Sequence, residues 1–278
     1  MIGSTHNHST GSDGKLSPEE IVRKAIKLKW DYFYFTDHYP NPSDSGVQYN
    51  DQGFFNKQYR DEVKKLQQKY KEKIKVYFGA EFSWLKGYPD YLREASKIEK
   101  FDYIIGAIHD MIDKNKIAHS IESGKEKWML SAKQFGGIEG FVKEYYKQLR
   151  SIIKSRLFDS VGHLDYIKVY NKQSDLFSEK ADWYVKQVLE TLDLIKKYNV
   201  ALEINQSGIR KCGEQFPSIW IIKQAKKMNI PVTLALDVHW KEHLNNKYLK
   251  EIINVAKKVG YKETVRFEKR RMLREKLP

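Results

Sequence analysis

The chain has 278 residues and a formal charge of +14, with 50 Lys and Arg against 36 Asp and Glu. Aromatic residues at 13% exclude a disordered chain, and the single cysteine, Cys212, excludes an internal disulfide framework and a cysteine-rich zinc site. No apolar run approaches the ~18–20 residues of a membrane span, and Met1–His6 carries neither the basic nor the apolar part of a secretory signal, so the expectation is a cytoplasmic, reduced protein with no membrane partner.

In chain order, short apolar runs alternate with longer stretches whose apolar residues recur at spacings of three and four. Ile2–Thr5 reads as a strand. Ser17-Pro18-Glu19-Glu20 then opens the first helix, with a serine N-cap and proline at the first helical position. Strand Tyr32–Phe35 is followed by helix Phe54–Tyr70, strand Val76–Ala80 by helix Asp90–Lys97, and strand Tyr103–Ala107 by helix Ile138–Lys154. Strand Ser160–Gly162 precedes helix Lys180–Tyr198, strand Ala201–Ile204 precedes Ser218–Met228, and strand Val232–Leu236 precedes Asn246–Val259. Seven strand–helix units in one direction spell an α/β chain whose parallel sheet closes into a barrel. With a short tail they account for residues 1–278 as one domain. Two long loops, Tyr39–Gly53 and Met111–Gly137, have the length of functional loops.

The cation excess has two readings. Lysines such as Lys143, Lys147 and Lys154 recur at helical spacing and read first as solvated helix faces; attraction for an anionic substrate or nucleic acid is the second. No concentrated basic and aromatic stripe of the kind that binds single strands is present, so nucleic acid is not the expected partner.

The histidines are more informative. Six of the eight, His6, His8, His38, His109, His163 and His239, fall at or just after the C-terminal end of an expected strand, while His119 lies in a loop and His243 near a helix start. Asp37, Glu81, Asp165, Glu203 and Asp237 occupy equivalent places. Strand C-termini of a parallel barrel open on one face, which is where active sites sit. Residues i and i+2 of an extended strand share a side, so His6/His8, His163/Asp165 and Asp237/His239 each aim two groups at one point. Any one of these side chains alone would be an ordinary buried polar group. Together they need neutralising cations, and imidazole with carboxylate suits Zn, Mn or Fe. Phosphate-cradling, dinucleotide and nucleophile-elbow glycine motifs are missing, and Cys212 reads as an incidental thiol.

The ordered set His6-Asn7-His8, Thr36-Asp37-His38, Gly79-Ala80-Glu81, His109, His163 and Asp237-Val238-His239 resembles the PHP (polymerase and histidinol phosphatase) family, metal-dependent phosphoesterases on a distorted (β/α)7 barrel. Within it, Gly162-His163-Leu164-Asp165 and the stretch 202–211 resemble the stand-alone histidinol-phosphate phosphatases. The resemblance implies two or three divalent ions. His6, His8, Glu81 and Asp237 hold the first, and Glu81 bridges to a second held by His109 and His163. His38 and His239 hold the third, where the loop Ser9–Lys15 offers Asp13 as its strong ligand; that site is Asp13-liganded, water-filled or partly occupied. Asp37 reads as a partner orienting an imidazole.

The implied reaction is hydrolysis of L-histidinol phosphate to L-histidinol and phosphate, in histidine biosynthesis, by attack of a metal-bridging hydroxide. A PHP-type phosphodiesterase or nuclease, or a phosphatase of another small ester, is the alternative. Asp165 is the expected general acid, otherwise a hydrogen-bonding partner or further ligand. Arg210 offers forked donors for phosphate from a glycine-bearing loop, otherwise an ion pair; Ser207 and Lys168 are weaker candidates for the same task. Glu203 and Asn205 are expected at the substrate's amine or behind Arg210. Phe82, Trp84 and Trp240 adjoin ligands as pocket wall or as packing. The oligomeric state is left open.

Overall fold

The computed structural model describes residues 1–47 and 55–278. Its strands are β1 (Gly3–Ser4), β2 (Tyr32–Phe35), β3 (Lys75–Ser83), β4 (Tyr103–Ala107), β5 (Asp110–Ile112), β6 (Ala118–Ser120), β7 (Ser160–Val161), β8 (Ala201–Asn205), β9 (Val232–Ala235), β10 (Glu263–Glu268) and β11 (Arg271–Lys276). The helices are α1 (Pro18–Lys27), α2 (Lys57–Lys69), α3 (Pro89–Ile98), α4 (Lys125–Gln134), α5 (Ile138–Ser155), α6 (Asp182–Tyr198), α7 (Ser207–Cys212), α8 (Ile219–Lys227) and α9 (Asn246–Val259). None of the described helices is long and apolar enough to cross a membrane.

Seven parallel strands run in the order β1-β2-β3-β4-β7-β8-β9. The sheet then comes round on itself. Thr5 N donates to Leu234 O at 3.0 Å, Asp237 N to His6 O at 2.9 Å and His8 N to Val238 O at 2.8 Å, joining the chain after β1 to the chain after β9. The distorted (β/α)7 barrel expected from the sequence is therefore present. Period-two alternation sorts its two faces. Tyr32, Tyr34, Tyr77, Tyr103 and Ile105 fill the interior, whereas Phe33, Phe35, Val76, Phe78 and Ile104 join the larger core under the helices. α1 starts where the sequence places it: Ser17 Oγ accepts from Glu20 N, and Glu20 accepts from Ser17 N at 2.9 Å, a reciprocal capping box.

The differences from expectation lie in the connections. The loop expected over 111–137 holds the β5–β6 hairpin and α4. Residues 48–53 of the other expected loop, and Phe54 at the expected start of a helix, lie outside the described residues; that helix runs Lys57–Lys69 from an Asn56 cap. The stretch expected as a loop after β8 winds into α7.

The tail folds into the β10–β11 hairpin, which plugs the N-terminal end of the barrel. Val265 and Phe267 pack on the interior tyrosines. The Tyr34 hydroxyl donates to Phe267 O and accepts from Phe267 N at 3.1 Å, and Arg266 Nη1 donates to Tyr77 OH at 2.8 Å. Phenols that would otherwise be stranded inside the barrel thus find partners, and only the C-terminal end of the strands is left open.

Candidate metal centre

All the histidines expected at strand ends converge at that open end. His6 Nε2 lies 3.1 Å from His8 Nε2 and 3.2 Å from Glu81 Oε2, and His8 Nε2 is 3.3 Å from Asp237 Oδ1. The other oxygen of the same carboxylate, Glu81 Oε1, faces His163 Nε2 at 3.0 Å and His109 Nε2 at 3.4 Å. Asp13 gathers a third set: its Oδ2 is 3.3 Å from His239 Nε2, and its Oδ1 is 3.8 Å from His38 Nε2 and 3.7 Å from His8 Nδ1. His38 stands between sets, with Nδ1 3.2 Å from Glu81 Oε2. Donors on a tetrahedron with bonds of 2.0–2.2 Å stand roughly 3.3–3.6 Å apart. The spacings, from 3.0 to 3.8 Å, bracket that figure, and imidazole nitrogens and carboxylate oxygens converging so closely suit cations between them.

The charges point the same way. Burial favours the neutral acid at Glu81, but His6, His109 and His38 outweigh it and hold the carboxyl well below its usual range. At Asp237 burial is outweighed by His6, His8 and His239. At Asp13 burial is overcome by the hydrogen bond from His239 and by His38 and His8. Imidazoles share the protons unevenly. Burial opposes a charge on His6, yet Glu203, Glu81 and Asp237 raise its pKa well above normal. Burial together with His239 and His38 pushes His8 down to about 3. Ionised carboxylates and imidazoles competing for too few protons form a site whose balance improves when metal ions replace those protons.

A surrounding layer fixes which nitrogen of each ring points inward. Glu203 Oε2 accepts from His6 Nδ1 at 2.8 Å, Ser83 Oγ meets His109 Nδ1 at 2.9 Å, and His239 Nδ1 donates to Asp237 O at 3.1 Å. Each contact leaves Nε2 facing the cluster, the arrangement that orients a histidine ligand. His163 Nδ1 has no hydrogen-bond partner among the described residues, while its Nε2 faces Glu81.

Several expected roles are corrected here. Glu203, fully buried beneath His6, also accepts from His163 N at 3.1 Å and from Asn205 Nδ2 at 2.8 Å. Asn205 reaches Asp237 Oδ2 at 3.3 Å as well. Neither lines the cavity; Glu203 and Asn205 brace His6, His163 and Asp237 from below, away from the place expected for them at a substrate amine or behind Arg210. Asp37 reaches an imidazole through Ser12, whose hydroxyl donates to it at 2.7 Å and lies 3.4 Å from His8 Nδ1; it also accepts from Ser9 N at 2.6 Å and the Tyr59 hydroxyl, anchoring the loop that carries Asp13.

Asp165 is also turned away. His163 has φ 23°, in the left-handed region, and Tyr166 N donates to His163 O at 2.8 Å. The chain has therefore turned, and the i, i+2 rule for extended strands does not apply. Asp165 accepts from Ser218 N at 2.9 Å and pairs with Lys168 Nζ at 3.2 Å. Burial raises its pKa to about 6, with Lys168 opposing the rise. Lys168 itself is held by Glu214 at 2.7 Å and does not line the cavity. Neither the general acid nor the phosphate contact expected of these two residues is available in this arrangement.

Over the cluster lies a cavity of about 530 Å³. Arg210 lines it, with Nη2 donating to Asp237 O at 3.1 Å and Nη1 to Gln206. Ser207 lines it too, and its hydroxyl lacks a hydrogen-bond partner among the described residues. Phe82 and Trp84 are buried as packing, whereas Trp240 is 49% exposed at the cavity rim. Sequence reasoning missed Lys15, Tyr166, Lys211 and His243 in the wall, as well as Asp110 and Glu122. Lys211 follows Arg210 on α7 and could have been inferred from it; Glu122 follows an unforeseen hairpin and carried no signal.

The PHP domain model matches residues 4–207. A probable histidinol-phosphatase of Deinococcus radiodurans is 24% identical over 266 residues, covering 95% of this chain and 94% of the relative. One from Thermotoga maritima is 26% identical, covering 92% and 91%. Among solved structures, the histidinol phosphate phosphatase of Lactococcus lactis complexed with zinc, L-histidinol and phosphate superimposes with a TM-score of 0.77 at 20% identity, over 98% of both chains.

Proposed function

From the premise that the chain belongs to the PHP domain family, we propose that it is a metal-dependent phosphomonoesterase that hydrolyses L-histidinol phosphate to L-histidinol and phosphate. The observation that carries the chemistry is Glu81, whose two oxygens face two separate sets of imidazoles. His6, His8, Glu81 and Asp237 would hold one divalent ion, Glu81, His109 and His163 a second, and Asp13, His38 and His239 a third, with zinc, manganese and iron all suited to the donors. Bound ions of this kind lower the pKa of water toward neutrality and offset phosphate charge.

The protein's own part is positioning. Glu203, Ser83 and the Asp237 carbonyl fix the inward nitrogens of three imidazoles. Arg210, tied to the backbone of Leu236 and Asp237, presents a fixed cation at the edge of the cluster, where a phosphate dianion keeps charge to be met. The Ser207 hydroxyl is free to donate to a phosphate oxygen. The cavity volume suits a small ester. The substrate is supported by the names of the relatives and by the L-histidinol and phosphate held in the Lactococcus structure.

The test is phosphate release from histidinol phosphate and from a generic aryl phosphate by protein loaded in turn with zinc, manganese and iron. Metal-dependent turnover with a higher kcat/KM for histidinol phosphate is expected. Equal turnover of the two esters overturns the substrate, and turnover indifferent to chelation overturns the chemistry.

A further inference from the structure

One cation in the cavity wall marks out a binding position of its own. Lys211 on α7 carries its ammonium to Glu122 Oε1 at 3.0 Å and to the Tyr166 hydroxyl, and it sits over the Tyr166 ring 4.8 Å from the centroid. A carboxylate, a phenol and an aromatic face make a cradle for a primary ammonium group. The Tyr166 ring packs 4.5 Å from that of His163 and 5.9 Å from that of His109, so the cradle adjoins the imidazole cluster. Asp110 and Arg210 line the same cavity. The Lys211 side chain is 32% exposed and can swing into solvent.

We propose that Glu122 and Tyr166 form a cation subsite for the substrate's primary ammonium group, with Lys211 as a tethered occupant that the substrate displaces. This rests on the reading of the substrate as an amine-bearing phosphate monoester. A tethered occupant competes with every aminated ligand and with no other, so its removal and the removal of the carboxylate have opposite effects.

The experiment compares O-phosphoethanolamine with ethyl phosphate as substrates of the zinc-loaded protein, and measures L-histidinol binding by calorimetry, for the wild type, Glu122→Gln, Lys211→Met and Tyr166→Phe. Glu122→Gln is expected to cut both the preference for the aminated ester and the L-histidinol affinity roughly tenfold. Lys211→Met should raise both several-fold, and Tyr166→Phe should lower both modestly with the ring retained. If Lys211→Met lowers kcat/KM equally for the two esters, Lys211 is a phosphate contact and the subsite is overturned. Equal losses on both esters in Glu122→Gln overturn it as well. If histidinol phosphate is a poor substrate while the amine preference still tracks Glu122, the named substrate fails and the subsite stands.

Discussion

The two ends of the barrel bury polar groups in opposite ways. At the N-terminal end donors meet acceptors within the protein: Tyr34 with Phe267, Arg266 with Tyr77, and Arg270 with Asp159. At the C-terminal end like meets like, His6 Nε2 against His8 Nε2 at 3.1 Å, with ionised carboxylates crowded between. A closed network of donors and acceptors stabilises a fold by itself, whereas a convergent set of lone pairs is costly until a cation joins it. The lesson is that a convergence of buried imidazoles and carboxylates marks function, whereas donors matched to acceptors mark structure.

The sharpest way to break that comparison is to substitute one residue at each end. Asp237→Asn keeps shape but removes the charge shared by His8 and His239, and should lower kcat roughly a thousandfold or more with the thermal midpoint little changed; a matching loss of midpoint would make Asp237 a structural residue. Phe267→Ala, at the plug, should cost about 3–5 kcal/mol of stability in urea titrations while the folded protein keeps its kcat.

A finer probe is Glu203→Gln, which should weaken metal affinity by about 10- to 100-fold in chelator competition, because the His6 ring loses its anionic partner; unchanged affinity would mean that Glu203 serves only the backbone of His163. The smallest effect is expected at Asp159, whose pKa burial raises to about 6 despite the Arg270 cation. The folded state holds that proton longer than the unfolded chain, so this group's contribution to stability falls as pH rises from about 4 to 6. Asp159→Asn should flatten that part of the pH profile of unfolding, and an unchanged slope would assign it to other carboxyls.

What could be read from the chain follows from the physics of each element. Strands buried on both faces announce themselves as apolar runs, and the residues just beyond them, from His6 to His239, inherit a common end of the barrel. The rule behind Asp237 and His239 worked even though Asp237 has φ 54°, because both side chains still reach the cluster. It failed at Asp165, where the left-handed turn at His163 redirects the chain. The β5–β6 hairpin and the C-terminal plug were illegible for a different reason. Their strands are short or strongly charged, as in Arg271–Lys276, and they form only because a partner strand and a barrel end await them. Glu203 shows the remaining gap: spacing placed it at the right end of the barrel, but depth along the strand put it beneath a ligand instead of in the cavity.

The hydrogen bonds that join the chain after β1 to the chain after β9 have a consequence for how the molecule opens. His6 and His8 stand on one side of that seam, Asp237 and His239 on the other. An ion held by both sides would span that seam as a clasp, and its loss would leave the first and last strands joined by their backbone hydrogen bonds alone.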